Sequence, residues 1–477
     1  MPNPIPGVIY QRTHPDPLWY AKGRPTLGEK PKGTADWTED APPWVYSSTR
    51  EFTSRWPVGT KIVDIQTGSS DFYTNLQNTV NAAGGRVVVR LGAGVYRLNQ
   101  FRLAGSSGIA TYAFGIFFPN LQGLLGQGAD KTFVQMDANS MTQAQLNELA
   151  TKTKASFSPN QMGFARFDGT AASPVLIAGL TMRAADQQNI TAMASDLSDL
   201  YRPQPAPHQG LVLYNQSPGI ISHVRFQGAG RALNSQPPFE HACANSQRGN
   251  VLWVRCEFDG RRSPDLDPAR PRRCAPIMLN NEVSSTLEDC WLHHSNVSRY
   301  AANDENSTST TPVGEYTLTR CKVEQITNTQ NRDPAINGGA SLGGYENATL
   351  CGWESCNGTI TLNDCMLVQD NPNSSSQSPM HLQFTSVGNR NPKGGRLRVN
   401  GGTFRHTQHP QIDGYLTFRI SPATYWWIDG VGNTLDVRSK TGDKLAPYIV
   451  TTAWPPTASA LKAAGVDPAT HFLVRSN

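Results

Sequence analysis

Leu287-Glu-Asp-Cys290-Trp-Leu292 is one of seven copies of a six-residue pattern, and that pattern decides the fold. An apolar residue is followed by two turn-like residues, an apolar or Cys position, a variable residue and another apolar position. The other copies are Ile177-Ala-Gly-Leu180-Thr-Met182, Ile221-Ser-His-Val224-Arg-Phe226, Trp253-Val-Arg-Cys256-Glu-Phe258, Leu318-Thr-Arg-Cys321-Lys-Val323, Leu362-Asn-Asp-Cys365-Met-Leu367 and Val399-Asn-Gly-Gly402-Thr-Phe404. Successive fourth positions lie 44, 32, 34, 31, 44 and 37 residues apart. A fixed motif at a variable period is the mark of a solenoid with insertions in its turns. Places one, four and six do not alternate strictly, so a turn at places two and three must restore the phase. Glu-Asp, Asn-Asp and Asn-Gly there tolerate left-handed or bridging backbone. Places four and six then point inward and place five points to solvent. Coils about 4.8 Å apart give the seven copies roughly 30 Å of axis.

This reading predicts an outward ladder of Thr181, Arg225, Glu257, Trp291, Lys322, Met366 and Thr403. Arg225 and Glu257 become neighbours on adjacent coils, a surface ion pair worth well under ~1 kcal/mol. The long stretches 183–210 and 227–249 are expected to project from the turns.

Upstream, Phe72, Leu76, Val80 and Ala83 share one face of a short helix. Ser70 or Asp71 can cap its start, and Gly84-Gly85 can stop it. Arg86–Leu91 and Val95–Leu98 read as strands around a Gly92-Ala-Gly94 turn, and Gly115–Phe118 and Leu121–Val134 form the next unit. The run Leu76-Gln…Val80-Asn-Ala-Ala-Gly-Gly, Val87-Val-Val-Arg-Leu-Gly-Ala-Gly-Val-Tyr96 and Gly126-Gln-Gly-Ala-Asp-Lys-Thr132 resembles the N-terminal signature of pectate-lyase-like β-helix proteins. The resemblance spans about sixty residues. It implies an all-β, right-handed parallel β-helix whose first coil is capped by a helix. It does not imply one activity, since that family includes lyases, hydrolases, epimerases and phage tailspikes.

Three regions follow. Residues 1–60 hold ten of the 34 prolines and Trp19, Trp37, Trp44 and Trp56, without strand or helix period. This reads as an extended attachment arm, with the tryptophans as anchors for a partner; the rival is an arm that wraps its own solenoid. Residues 61–440 form the β-helix. Residues 441–477, with a Thr457–Ala464 helix and a His471–Val474 strand, form a C-terminal cap or oligomerisation element.

Cys256, Cys290, Cys321 and Cys365 all take the fourth place, which predicts an inward stack of small soft side chains. Cys243, Cys274, Cys351 and Cys356 lie outside the motif, and no pair has zinc or redox spacing. Free thiols suit a reducing compartment. The net charge of +5 is weak, and its densest basic stretch, Arg261 to Arg273, reads as a solvated loop. No nucleic-acid partner, membrane insertion, metal or cofactor is expected. The start Met1-Pro-Asn-Pro-Ile-Pro-Gly-Val lacks a secretory pattern.

Together with the resemblance, these features lead to an expected virion component, assembled in the host cytoplasm and released by lysis. It would be a homotrimeric tail spike, tail fibre or minor tail protein that binds a host-surface polysaccharide and joins other virion proteins through its arm. A polysaccharide depolymerase on the same fold and a capsid-decorating protein are the alternatives, so whether it is an enzyme stays open. The richest polar cluster is Asn280-Asn-Glu282 with His293, His294, Tyr300, Asp304 and Glu305. Glu282, Asp304 and Glu305 are its candidate catalytic carboxylates, since glycosidases need a pair about 5–10 Å apart. Trp291, Tyr300 and His293 are its candidate glycan contacts.

Overall fold

The computed structural model describes residues 53, 55–65, 71–100, 102–106, 109–136, 144, 162–183, 209–213, 218–227, 242–247, 250–259, 275–280, 284–293, 301–303, 315–325, 351–354, 359–369, 380–385, 396–420, 434–451 and 453–476. They form a right-handed parallel β-helix of two sheets, one of 18 strands and one of 12. The larger sheet is bent along its length. Val175–Arg183 and Gly219–Gln227 run through the bend, while later coils break there into pairs such as Ser284–Glu288 and Trp291–His293.

The bend sits at the third place of the motif. Gly179, His223, Arg255, Asp289, Arg320, Asp364 and Gly401 all have positive φ, between 48° and 66°. Left-handed backbone costs a non-glycine residue roughly 1–2 kcal/mol. Inter-coil bonds hold the corner: Asp289 N–H to the Thr319 carbonyl (3.0 Å), Arg320 N–H to Asn363 (2.8 Å) and Asp364 N–H to Asn400 (3.0 Å). Arg320 also forks onto the Asp289 carboxylate at 2.7 and 3.1 Å.

Places one, four and six face the core as expected. Phe226, Trp253 and Phe258 pack with ring centroids 5.2 to 5.9 Å apart. The cysteine stack is present: Cys256, Cys290, Cys321 and Cys365 are free and buried. Each thiol donates to a carbonyl of the preceding coil, at Ile221, Trp253, Leu287 and Leu318, over 3.4 to 3.6 Å. Burial pushes the Cys290 thiol well up.

At the N-terminal end the helix is Phe72–Ala82. Of the two expected caps, Asp71 serves, accepting from Thr74 N–H at 3.1 Å. The solenoid begins earlier than the helix, because Ile62–Asp64 already pairs with Val88–Arg90. The Gly-x-Gly turn is explained by contact: a Cβ on Gly126 would lie 2.2 Å from the Gly179 carbonyl oxygen. Thr132 closes the turn, donating to the Gly92 carbonyl and accepting from Gln127 N–H.

At the other end stand the helix Ala458–Ala463 and the strand His471–Ser476. That last strand is threaded between Thr417–Ile420 and Ala446–Val450 and pairs with both.

One expectation is corrected here. The fifth places do form the outward ladder, in register from Thr181 through Arg225, Glu257, Trp291, Lys322 and Met366 to Thr403. They do not face solvent: all from Thr181 to Met366 are buried. Thr181 lies under the 126–131 turn, donating to the Ala129 carbonyl at 2.6 Å. Arg225 pairs with Glu257 across coils, and Lys322 lies over the Trp291 ring.

Candidate functional site

The middle of that ladder is the most chemically loaded surface among the described residues. Its side chains come from the short strands Glu257–Asp259, Trp291–His293 and Lys322–Gln325, stacked in parallel. Phe258, Leu292 and Val323 point into the core, which turns the residues on either side of each of them outward. Two outward columns result: Glu257, Trp291 and Lys322 in one, His293 and Glu324 in the other, with Asp259 in backbone register with His293.

The first half of the site is closed. Arg225 Nε donates to Glu257 Oε2 at 2.7 Å, and both side chains are fully buried. His293 Nε2 sits 3.0 Å from Glu257 Oε1, so both carboxylate oxygens are held. The proton on Nε2 satisfies this bond. His293 is stacked on Trp291, with centroids 3.8 Å apart and an interplanar angle of 24°.

The second half is open on one side. Glu324 Oε2 accepts from Lys322 Nζ at 2.6 Å and from Trp291 Nε1 at 3.1 Å. Among the described residues nothing binds its Oε1, and the side chain is 16 % exposed. A carboxylate gripped through one oxygen with the other reachable is oriented and still able to give or take a proton. Asp259 stands two coils away in the same backbone register, about 9–10 Å at the backbone. Asp259, His293 and Glu324 stand at or next to strand ends, where the chain leaves for 260–274, 294–300 and 326–350.

The residues singled out from sequence are placed differently. Trp291 is 2 % exposed, with its ring taken by His293 and by Lys322 Nζ 5.5 Å away, so it offers no stacking face to a sugar. His293 is buried as a partner of Glu257. Asn280 belongs to the 12-stranded sheet, in register with Asn303, and not to the face that carries Trp291 and His293. Glu282, His294, Tyr300, Asp304 and Glu305 lie outside the described residues, as do Trp19, Trp37 and Trp44. Trp56 packs on the chain's own solenoid, against Val88, Leu125, Leu176 and Ala178. Arg55 beside it pairs with Glu288 at 2.8 Å. Glu324, which the sequence reading passed over, is the residue one place beyond a motif copy.

Among the described residues no group of three or more His, Cys, Asp or Glu is placed to hold a metal. No helix there is long and apolar enough to cross a membrane.

No family model and no curated protein matches the chain. Among solved structures it is similar to an endo-xylogalacturonan hydrolase from Aspergillus tubingensis, at 10 % identity over 87 % of this chain and 99 % of that one, with a TM-score of 0.39. It is similar to the catalytic domain of a GH87 alpha-1,3-glucanase in complex with nigerose, at 8 % identity over 80 % of this chain and 65 % of that one, TM-score 0.25. It is similar to the A-module of the mannuronan C-5 epimerase AlgE4 from Azotobacter vinelandii, at 12 % identity over 82 % and 94 %, TM-score 0.23. Similarity at this level transfers no site residue to this chain.

Proposed function

We propose that the protein acts on a polysaccharide chain that reaches Glu324 at the margin of the ladder, with Glu324 as its general acid or base. The observation that carries this is the state of Glu324: fixed through Oε2 by Lys322 and Trp291, and open at Oε1. Glu257 supports the site without reacting, because Arg225 and His293 occupy both its oxygens. A stack of parallel strands also suits a long repetitive ligand, since each coil repeats the surface after about 4.8 Å.

The test is a panel of purified acidic and neutral polysaccharides incubated with the full-length chain. Reducing ends and unsaturated sugar products are followed separately. Reducing ends without unsaturation indicate hydrolysis, and unsaturation indicates a lyase. Binding with neither product supports glycan binding without cleavage and removes the role of Glu324 in chain cleavage. Neither binding nor product removes the reading altogether.

The binding-only reading has an observation in its favour: Glu257, Trp291 and His293 are all occupied by one another. Its finer form is a homotrimeric tail spike, tail fibre, minor tail or capsid-decorating protein of a bacteriophage that holds a host-surface glycan. Detection of the chain in purified particles, and its mass in solution, test that form.

A further inference from the structure

We propose that the packed pair His381 and His406 is an acid-sensitive latch that holds the C-terminal elements, Ala446–Val450 and His471–Ser476, on the last coils. The two rings lie 4.2 Å apart between coils and are both buried. Thr417 joins them. Its Oγ1 accepts from His381 N–H at 3.0 Å and lies 3.2 Å from His406 Nε2, and its own N–H donates to His381 Nδ1 at 3.2 Å. His381 Nε2 lies 3.0 Å from the Arg405 carbonyl, which can only accept. The proton of His381 is therefore on Nε2, and Nδ1 is the acceptor. A second proton, on Nδ1, would face the Thr417 N–H that now donates to it, and the acceptor in reach, Thr417 Oγ1 at 3.3 Å, is already engaged by His381 N–H and lies against His406 Nε2. His406 Nδ1 is buried without a partner among the described residues, so a proton there gains no bond.

The surrounding charges do not rescue the protonated pair. Asp413 is the nearby acid, and it is already engaged by Arg405 Nε at 2.9 and 3.1 Å and by His406 N–H at 2.9 Å. Arg405, His409, and the Arg419–Arg475 neighbours on the paired strands add positive or protonatable groups. Burial holds His381 down at about 4 and, with His381 and His409 as neighbours, holds His406 well below the usual histidine range.

The sign follows. Both histidines take up protons more readily in the opened chain, whose ordinary value is about 6.5. The latch is fully closed above that value and weakens as pH falls towards the folded value of about 4. The load it carries is the C-terminal elements. Thr417 is in register with Leu473 of the last strand, and Met380, beside His381, shares a buried cluster with Tyr415, Trp454, Leu461 and Leu473.

Amide hydrogen exchange on the full-length chain, corrected for intrinsic rates, tests this between about pH 6.5 and about pH 4. Opening of 446–450 and 471–476 should rise by up to about a hundredfold per pH unit, tenfold for each proton taken up. The first coils, 87–90 and 121–125, should stay closed. The double variant His381→Gln, His406→Gln should flatten the rise. C-terminal elements that open in step with the first coils overturn the proposal, and so do variant elements that open as those of the wild type do. Should the double variant not fold, His406→Gln alone is expected to reduce the slope to about tenfold, and an unchanged slope overturns the proposal.

Discussion

Arg225 and Glu257 meet at 2.7 Å on adjacent coils, and neither side chain is exposed at all. Burial changes what the pair is worth. A solvated pair contributes under ~1 kcal/mol, whereas removing one partner of a buried pair strands the other charge at a cost of about 3–5 kcal/mol. Glu257→Ala should lose stability on that scale in chemical denaturation. Replacing both residues by apolar ones of similar size should lose far less.

The corner of each coil is a second place where the sign of an effect is fixed. Asp364 sits at φ 48°, a conformation that glycine takes freely. Asp364→Val should destabilise by more than about 1 kcal/mol, because a β-branched residue is the poorest choice there. Asp364→Gly should come close to neutral. Paired thermal melts distinguish the two.

Trp56 clasps the outer face over Val88, Leu125, Leu176 and Ala178. Trp56→Ala should lower the melting temperature by several degrees, at a cost of about 1–3 kcal/mol of lost burial. An unchanged melting temperature would show that this contact carries no stability and return Trp56 to the role of a partner anchor.

The four stacked thiols should be inert while the fold persists. Mass mapping after brief alkylation of the native protein should leave Cys256, Cys290, Cys321 and Cys365 unmodified, and modification should appear only with unfolding. Labelling of these four at native rates would contradict their place in the core.

Much of the solenoid is written in local pattern. The first, fourth and sixth places of each copy name the core, and the two residues between them name the corner, because both depend on a few consecutive dihedrals. Stopping the motif at six places hid the site. The seventh places, Asp259, His293 and Glu324, share a backbone register that the same periodicity contains. Closeness in sequence to His293 points to Glu282, Asp304 and Glu305. In a solenoid, though, the neighbours of His293 are one coil away, 34 residues back at Asp259 and 31 ahead at Glu324. Burial of the ladder was not legible either, since alternation assigns a face without saying what covers it. The His381–His406 contact lies at a corner between coils, where no period links residues 25 apart.

The role of Glu324 is the centre of the account, and Glu324→Gln tests it most directly. The substitution keeps the shape of the side chain and removes its proton chemistry. On a polysaccharide that the wild-type chain cleaves, the variant should stay folded and keep its binding, with a lowered melting temperature because Lys322 loses its carboxylate, while the rate of end-group release falls at least about a hundredfold. Cleavage by a folded Glu324→Gln protein at the wild-type rate would contradict the account.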